Sequence, residues 1–446
     1  MVFLHHRIDT IMKTKSIFTA VALFFAGMVH AQTVTTDTVI MGAGYANQVF
    51  YSLQSGAKTA NPMGSWHIAH TSNTRDNCIR ANHAAGVNVY AYPKGDNSAY
   101  ANFDTTGWHS WPTFMNDIHK HELGAFNQQL NKNNPWDFSW GVYDAGSHTV
   151  KGDSLYLITL SSGGKVVAFI KFMPIAQYPN GDFSFRYDFV GGTKDFAVID
   201  TIKQSQAKNG TYKYFHFTNK QVTLEPTNGI WDLNFTRYYE PTFNGTSYVP
   251  YLVVGVESRV GAKIAKIEMV TWDDMVKSPL TYHNQALDTT GGEGYRVDLT
   301  RIGSKWKVFN GSSYDMVQDL NYLVQSSDSN VYGLQFTGFV GSSMGRIILN
   351  RSALVAKTTS STKNIAQNHV SIFPVPAQNQ LYIRPNENTK VEAITLRSLD
   401  GRSIRTASNI FTENVAQLNI GDLSAGQYIV EVKTSNGVQS QIISKN

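Results

Sequence analysis

Short runs in which apolar and polar residues alternate recur along most of the chain, with turn residues between them. In Trp231-Asp232-Leu233-Asn234-Phe235-Thr236 every second side chain is apolar, the period that turns one face of a strand toward a core. QLYIR, AITLRSL, VAQLNI and QYIVEV near the C-terminus follow the same rule. Asp400-Gly401 and Asn436-Gly437 punctuate these runs and are strong hairpin signals. The pattern predicts an all-β protein: two tandem antiparallel β domains and a C-terminal Ig-like β-sandwich.

The tandem arrangement comes from an internal repeat. Trp140, Tyr143, Val150 and Tyr156 match Trp306, Phe309, Met316 and Tyr322, always 166 positions on, and Trp66 matches Trp231 at 165. Gly86-Val87-Asn88-Val89-Tyr90 matches Gly261-Ala262-Lys263-Ile264-Ala265 at 175, so the insertions differ between copies. Two separated blocks at nearly one offset point to a duplicated module. The expected division is a leader at 1–31, β domains at 32–205 and 206–356, a small polar linker at 357–368, and the terminal sandwich at 369–446.

At the N-terminus, MKTKSIFTAVALFFAGMVHAQ carries two lysines, an apolar run from Ile17 to Val29, and small residues at Val29-His30-Ala31. That is the layout of a secretory signal peptide, with translation starting at Met12. No later stretch approaches the roughly twenty apolar residues that a membrane-spanning helix needs. Cys78 is the sole cysteine, so no disulfide can form within the chain, and it reads as a small buried hydrophobe. A formal charge of +5 with 16% charged residues leaves no electrostatic footprint for nucleic acid.

The terminal landmarks Phe373-Pro374-Val375-Pro376, Leu381-Tyr382-Ile383, Asp400-Gly401-Arg402 and Leu423-Ser424-Ala425-Gly426-Gln427-Tyr428 resemble the C-terminal sorting domain of type IX secretion substrates. Phe373 replaces the usual Asn. The resemblance implies a Bacteroidetes-type outer membrane, the type IX secretion machinery as partner, and a secreted or cell-surface destination. In the body, Tyr214-Phe215-His216-Phe217, Trp231-Asp232-Leu233-Asn234-Phe235, and Gly338-Phe339 with Gly341-Ser342-Ser343-Met344-Gly345-Arg346 are similar to HmuY-type haemophores. This second resemblance implies an exported, haem-binding or haem-binding-like protein that serves iron acquisition, with haem or a haem-carrying protein as partner. It carries no ligand residue over to this sequence.

Candidate chemistry rests on histidines. His67 and His70 stand three apart on a strand and point to opposite sides, so they cannot chelate one metal together. Register with the second copy puts Trp66, Ile68 and His70 inward, and His67, Ala69 and Thr71 outward, with His67 solvated. His70 then reads either as a core histidine with a satisfied nitrogen or as a pocket ligand. GWHSWPTFMNDIHKHELGAF concentrates His109, His119, His121 and Met115 among Trp108, Trp111 and Phe114. Imidazole or thioether ligands with aromatic walls are what haem requires. On an extended segment His119 and His121 would point the same way; the other reading is an ordinary loop with aromatic anchors.

No catalytic motif gains support. Gly341-Ser342-Ser343-Met344-Gly345 satisfies G-x-S-x-G but precedes a strand-like run rather than a helix. His121-Glu122 opens HExxH, yet Ala125 stands at the fifth position. Gly42-Ala43-Gly44 lacks a third glycine, and nothing sets Asp273-Asp274 in a cleft. The leading expectation is an exported haem-binding protein. A structural or adhesive surface protein of the same fold, or a secreted hydrolase, are the alternatives.

Overall fold

Eighteen of the described strands of the body form two series of nine, in the same order. The first comprises β1 (Thr35–Ile40), β2 (Asn47–Tyr51), β3 (Lys58–Pro62), β4 (Ile68–Thr71), β5 (Ile79–Ala81), β6 (Val87–Ala91), β7 (Tyr156–Ser162), β8 (Lys165–Gln177) and β9 (Phe183–Phe189). The second comprises β10 (Val198–Ile202), β11 (Tyr212–His216), β12 (Lys220–Val222), β13 (Leu233–Phe243), β14 (Tyr248–Ser258), β15 (Lys263–Glu268), β16 (Leu320–Gln325), β17 (Val331–Val340) and β18 (Arg346–Val355). The computed structural model describes residues 33–191, 198–207, 210–226, 230–290, 294–326, 329–356, 370–385, 389–399, 401–407, 411–412, 415–435 and 437–446. The expected leader and linker lie outside these residues.

Strand pairings are equivalent between the series, residue by residue. Ile68 faces Phe215 across β4 and β11, as Leu233 faces Tyr51 across β13 and β2. Tyr156 faces Ala91 as Tyr322 faces Lys266, and Phe185 faces Asp200 as Leu349 faces Asp37. The series nevertheless do not fold apart. One sandwich sets β10-β9-β8-β7-β6 against β12-β11-β4-β5; the other sets β1-β18-β17-β16-β15 against β3-β2-β13-β14. Each series thus lends its first three strands to the other, and the expected boundary between residues 205 and 206 cuts through both sandwiches. The reason lies in chain continuity. β10 follows β9 closely and takes its edge, whereas β18 has no successor in the body, and β1 returns to cover it.

Aromatic residues fill both cores. Trp140, Phe172, Phe183, Phe185 and Phe215 lie in the first sandwich, and Tyr51, Phe235, Trp306, Tyr322 and Phe336 in the second. The twin tryptophans Trp140 and Trp306 are fully buried, and each indole N–H finds a carbonyl, Asn77 O at 2.7 Å and Gly303 O at 3.0 Å. Between the sandwiches the outer faces of the two four-stranded sheets meet around Phe50, Ala69, Tyr214, Leu224 and Trp231. Trp66 packs edge-on against Tyr214 at 5.3 Å there, and Trp231 against Phe50 at 4.9 Å.

That third layer corrects the inward and outward assignment along β4. Ile68 and His70 face the first core as expected, but Trp66 turns with Ala69 into the layer between the sandwiches. Ala69 and Thr71, expected to face outward, are buried as well, since a second sandwich covers that face.

Insertions distinguish the copies. After β15 two short helices, α1 (Trp272–Lys277) and α2 (Pro279–Leu287), pack Trp272, Met275 and Ala286 against Leu323, Val331 and Leu354. Thr271 caps α1, accepting from Asp274 N at 3.1 Å, so Asp273-Asp274 is the acidic first turn of a helix. In the first copy residues 92–127 occupy the corresponding interval with short helical turns, and Tyr92, Tyr100 and Trp111 pack against Leu155 and Leu157. The G-x-S-x-G stretch is a tight turn between β17 and β18, closed by Gly345 N to Gly341 O at 2.8 Å.

Residues 357–446 form a separate unit. Two four-stranded antiparallel sheets enclose Ile372, Leu381, Ile383, Ile394, Leu396, Leu418, Val430 and Val432. Asp400 and Asn436 of the two Asx-Gly signals lie outside the described residues; the strands flanking them pair, Val391–Ser398 with Ser403–Ala407 and Gly426–Thr434 with Gly437–Lys445. The all-β architecture with its terminal sandwich is as the alternation requires.

Candidate functional site

The histidines of β4 have separate surroundings. His67 is half-buried rather than solvated: its ring stacks on His216 at 3.9 Å and its Nδ1 accepts from Phe217 N at 3.1 Å. Burial, then the neighbouring His216, brings it down to about 4. His70 is wholly buried, stacks on Phe183 at 4.5 Å, and donates from Nδ1 to Thr71 O at 2.8 Å. Its Nε2 has no partner, and burial followed by the charge of Lys213 holds its pKa well below the ordinary value. His70 is a core residue opposite Lys213, where the twin positions hold Phe235 opposite Val49.

The 107–126 segment distributes its candidates too. His109 is exposed and stacks on Trp108 at 3.8 Å. His121 sits between Asp76 and Glu122, both at 3.2 Å. His119 and His121 do not share a direction along an extended strand, because Asp117 Oδ1 accepts from both His119 N (2.7 Å) and Lys120 N (2.8 Å) and bends the chain. The Cys78 thiol donates to His121 O at 3.1 Å, and burial pushes it up to about 12. Among the described residues no group of three or more His, Cys, Asp or Glu side chains is set to hold a metal ion.

His119 and Met115 do come together. Their segment is anchored by Asn116, whose side chain donates to Ala81 O (2.7 Å) and accepts from Ala81 N and Ala125 N (3.0 Å each). Asn116 N donates to His83 Nε2 at 3.2 Å, which fixes the His83 proton on Nδ1, where it reaches Val87 O at 2.8 Å. Arg80 gathers Asp117 O at 3.0 Å and the carbonyls of Lys120 and His121 at 3.3 Å. The second copy clamps the same segment, with Leu299 N to His119 O at 2.8 Å and Thr300 Oγ1 to Ile118 O at 2.9 Å.

Opposite stands the long β13–β14 hairpin. Its four-residue loop is held by Asn244 Oδ1, which accepts from Thr246 N and Ser247 N. Tyr239, Pro241, Tyr248 and Pro250 of this hairpin, with Met115, Ile118 and His119, line an open cleft of ≈380 Å³. It lies within the range of about 300–1,000 Å³ for small-molecule sites. One wall comes from the first copy's insertion and the other from the second copy's hairpin; the twin strands β4 and β5 are short, 4 and 3 residues. The cleft is therefore asymmetric although the fold is duplicated.

Behind it lies a smaller chamber of ≈70 Å³ between the sandwiches. Gln48, Trp66, Arg80, Tyr212, Asn234, Tyr238 and Glu257 border it, and Met115, Asn116, Ile118 and Tyr239 border chamber and cleft alike. Arg80 and Glu257 occupy twin positions, facing Ala69 and Asn234 in their respective pairs. Burial raises Glu257, against the opposing effects of Arg80 and Asn234. Gly255 leaves the space that the Tyr238 hydroxyl uses, since a Cβ there would stand 2.6 Å from it.

Sequence reasoning found Met115 and His119 through their residue types. It missed Tyr239, Tyr248 and the two prolines, which carry no signal until the hairpin is known to face residues 115–119.

Residues 371–445 match the secretion system C-terminal sorting domain family. The chain is accordingly a secreted or cell-surface protein handled by type IX secretion, and no helix among the described residues is long and apolar enough to cross a membrane. No curated protein matches the chain. A solved structure from Bacteroides fragilis NCTC 9343, described as that of a putative lipoprotein, aligns at 13% identity, covering 40% of this chain and 92% of that one, with a TM-score of 0.17. A score that low carries no argument about the body.

Proposed function

We propose that this exported protein binds a small, largely apolar ligand in the cleft between the β13–β14 hairpin and residues 115–119, and that the ligand is haem. The observation that carries the reading is the meeting of Met115 and His119 in one cleft with Tyr239 and Tyr248. Thioether and imidazole are both axial ligands of haem iron, and aromatic walls suit a porphyrin face. Apolar burial at about 25 cal/mol per Å² would supply most of the affinity. When bound, haem would offer iron for coordination; the protein's part is to present Met115 or His119 and to exclude water with Tyr239, Pro241 and Pro250. The HmuY-type resemblance agrees with this role in iron acquisition.

One observation favours adhesion as a second reading. Phe243, Tyr248 and Tyr251 near the hairpin tip are 56%, 73% and 61% exposed, an aromatic surface suited to contact with another macromolecule. Haemin titration separates the two. Binding should shift the Soret band, and Met115→Ala or His119→Ala should change the bound spectrum and weaken affinity by about tenfold. An unshifted spectrum in the unmodified protein would overturn the haem reading.

A further inference from the structure

The inner chamber is small, polar and incompletely satisfied. Gln48 Nε2, Asn234 Oδ1 and Tyr238 OH have no hydrogen-bond partner, in residues only 2%, 8% and 8% exposed. Tyr212 OH and Trp66 Nε1 on the same walls are likewise unpartnered. Buried polar atoms left in this state are costly, and five around one chamber call for a guest that meets them. Their chemistry is one-sided. An indole N–H and an amide N–H only donate, phenols can donate, and Asn234 Oδ1 is the lone atom restricted to accepting.

Charge points the same way. The Arg80 guanidinium borders the chamber. Burial raises the pKa of Glu257, its twin across the layer, which lessens its opposition to an anion. A volume of ≈70 Å³ holds a carboxylate or about two waters, and is far below what a porphyrin ring needs. The cleft in front is larger and mostly apolar, and four residues line both spaces.

We infer that the chamber receives the carboxylate head of an amphipathic ligand whose flat apolar body lies in the outer cleft. The inference rests on the ligand-binding reading of that cleft and adds the chemical class: a hydrophobic ring system carrying a short acidic arm. Donor groups on Gln48, Tyr212, Tyr238 and Trp66 recognise the arm. Both copies contribute, Gln48 and Trp66 from the first and Tyr212 and Tyr238 from the second.

The test compares haemin with its dimethyl ester, in which both carboxylates are masked, by equilibrium titration of the mature protein. The unmodified protein should prefer haemin by about tenfold or more. Tyr238→Phe removes one hydroxyl and no carbon, and should erase most of that preference. Equal affinity for the two compounds, or a preference unchanged in Tyr238→Phe, would overturn the carboxylate assignment while the cleft stands, and would leave the chamber to ordered water. Binding of neither compound would remove the cleft reading and this inference together.

Discussion

Arg351 Nε donates to Asp37 Oδ2 at 2.7 Å, joining residues 314 positions apart. Tyr51 OH (2.7 Å) and Lys58 Nζ (2.9 Å) also donate to Asp37, so β1, β2, β3 and β18 meet at one carboxylate. The twin cluster places Asp200 with Tyr187 and Lys220, binding two of the lent strands, β10 and β12, to β9 of their host sandwich. Burial opposes ionisation of Asp37, but hydrogen bonds from Arg351, Tyr51 and Lys58 outweigh it and bring its pKa down to about 2.

Asp37→Ala should therefore loosen the second sandwich. A loss of roughly 1–3 kcal/mol is expected for charged hydrogen bonds at this partly exposed site, read as a lower denaturant midpoint. Since the folded pKa lies below the unfolded one, the Asp37 contribution is complete above about pH 4 and is lost as pH falls toward 2. Hydrogen exchange across β1 and β18 should rise in that window, and less so in the variant. Equal exchange in both proteins would show that Asp37 does not hold the closure.

His70 and Lys213 replace an apolar pair that the twin sandwich tolerates well. Lys213 is buried, donates to Gly181 O, and is lowered by burial to about 8. Converting both residues to their counterparts, His70→Phe with Lys213→Val, should raise stability by about 1–3 kcal/mol, because a buried polar pair gives way to apolar packing. A single change should gain less or destabilise, as it strands the other polar group. A destabilised double variant would mean that the pair does more than fill space.

Acid should strike the first sandwich at milder pH than the Asp37 cluster. His67 and His83 are both lowered to about 4, chiefly by burial, and His70 lies well below its usual value. Neutral in the folded state, they favour folding above the unfolded pKa of about 6.5, and that advantage disappears as pH falls from 6.5 toward 4. Melting temperature should drop over this interval, and less steeply in the His70→Phe/Lys213→Val protein. A flat profile from pH 7 to 4 would contradict the assignment.

Cys78 should not react with thiol reagents in the native protein, since it is buried and its thiol is pushed up to about 12. Labelling should appear only on unfolding. Rapid native-state labelling would mean that the turn at residues 117–121 opens.

Period-two alternation made the all-β class legible, and Asp-Gly and Asn-Gly located hairpins in the terminal sandwich. The offsets of 166 and 175 agree with strand register. Strand exchange was not legible, because a repeat in sequence does not say which copy a strand pairs with. Alternation places Trp66 inward because it supposes that one face of each sheet meets solvent, whereas the two sandwiches cover each other. Short helices such as α1 escaped because 6 residues give too little periodicity. For the site, residue type singled out Met115 and His119, but the hairpin wall exists only through contact between the copies.

One cleft per chain is the central claim, since each of its walls comes from a feature that only one copy has. Haemin titration followed to saturation should give one equivalent per chain, with binding weakened by Tyr239→Ala. Two equivalents, or one that is indifferent to Tyr239→Ala, would contradict the account.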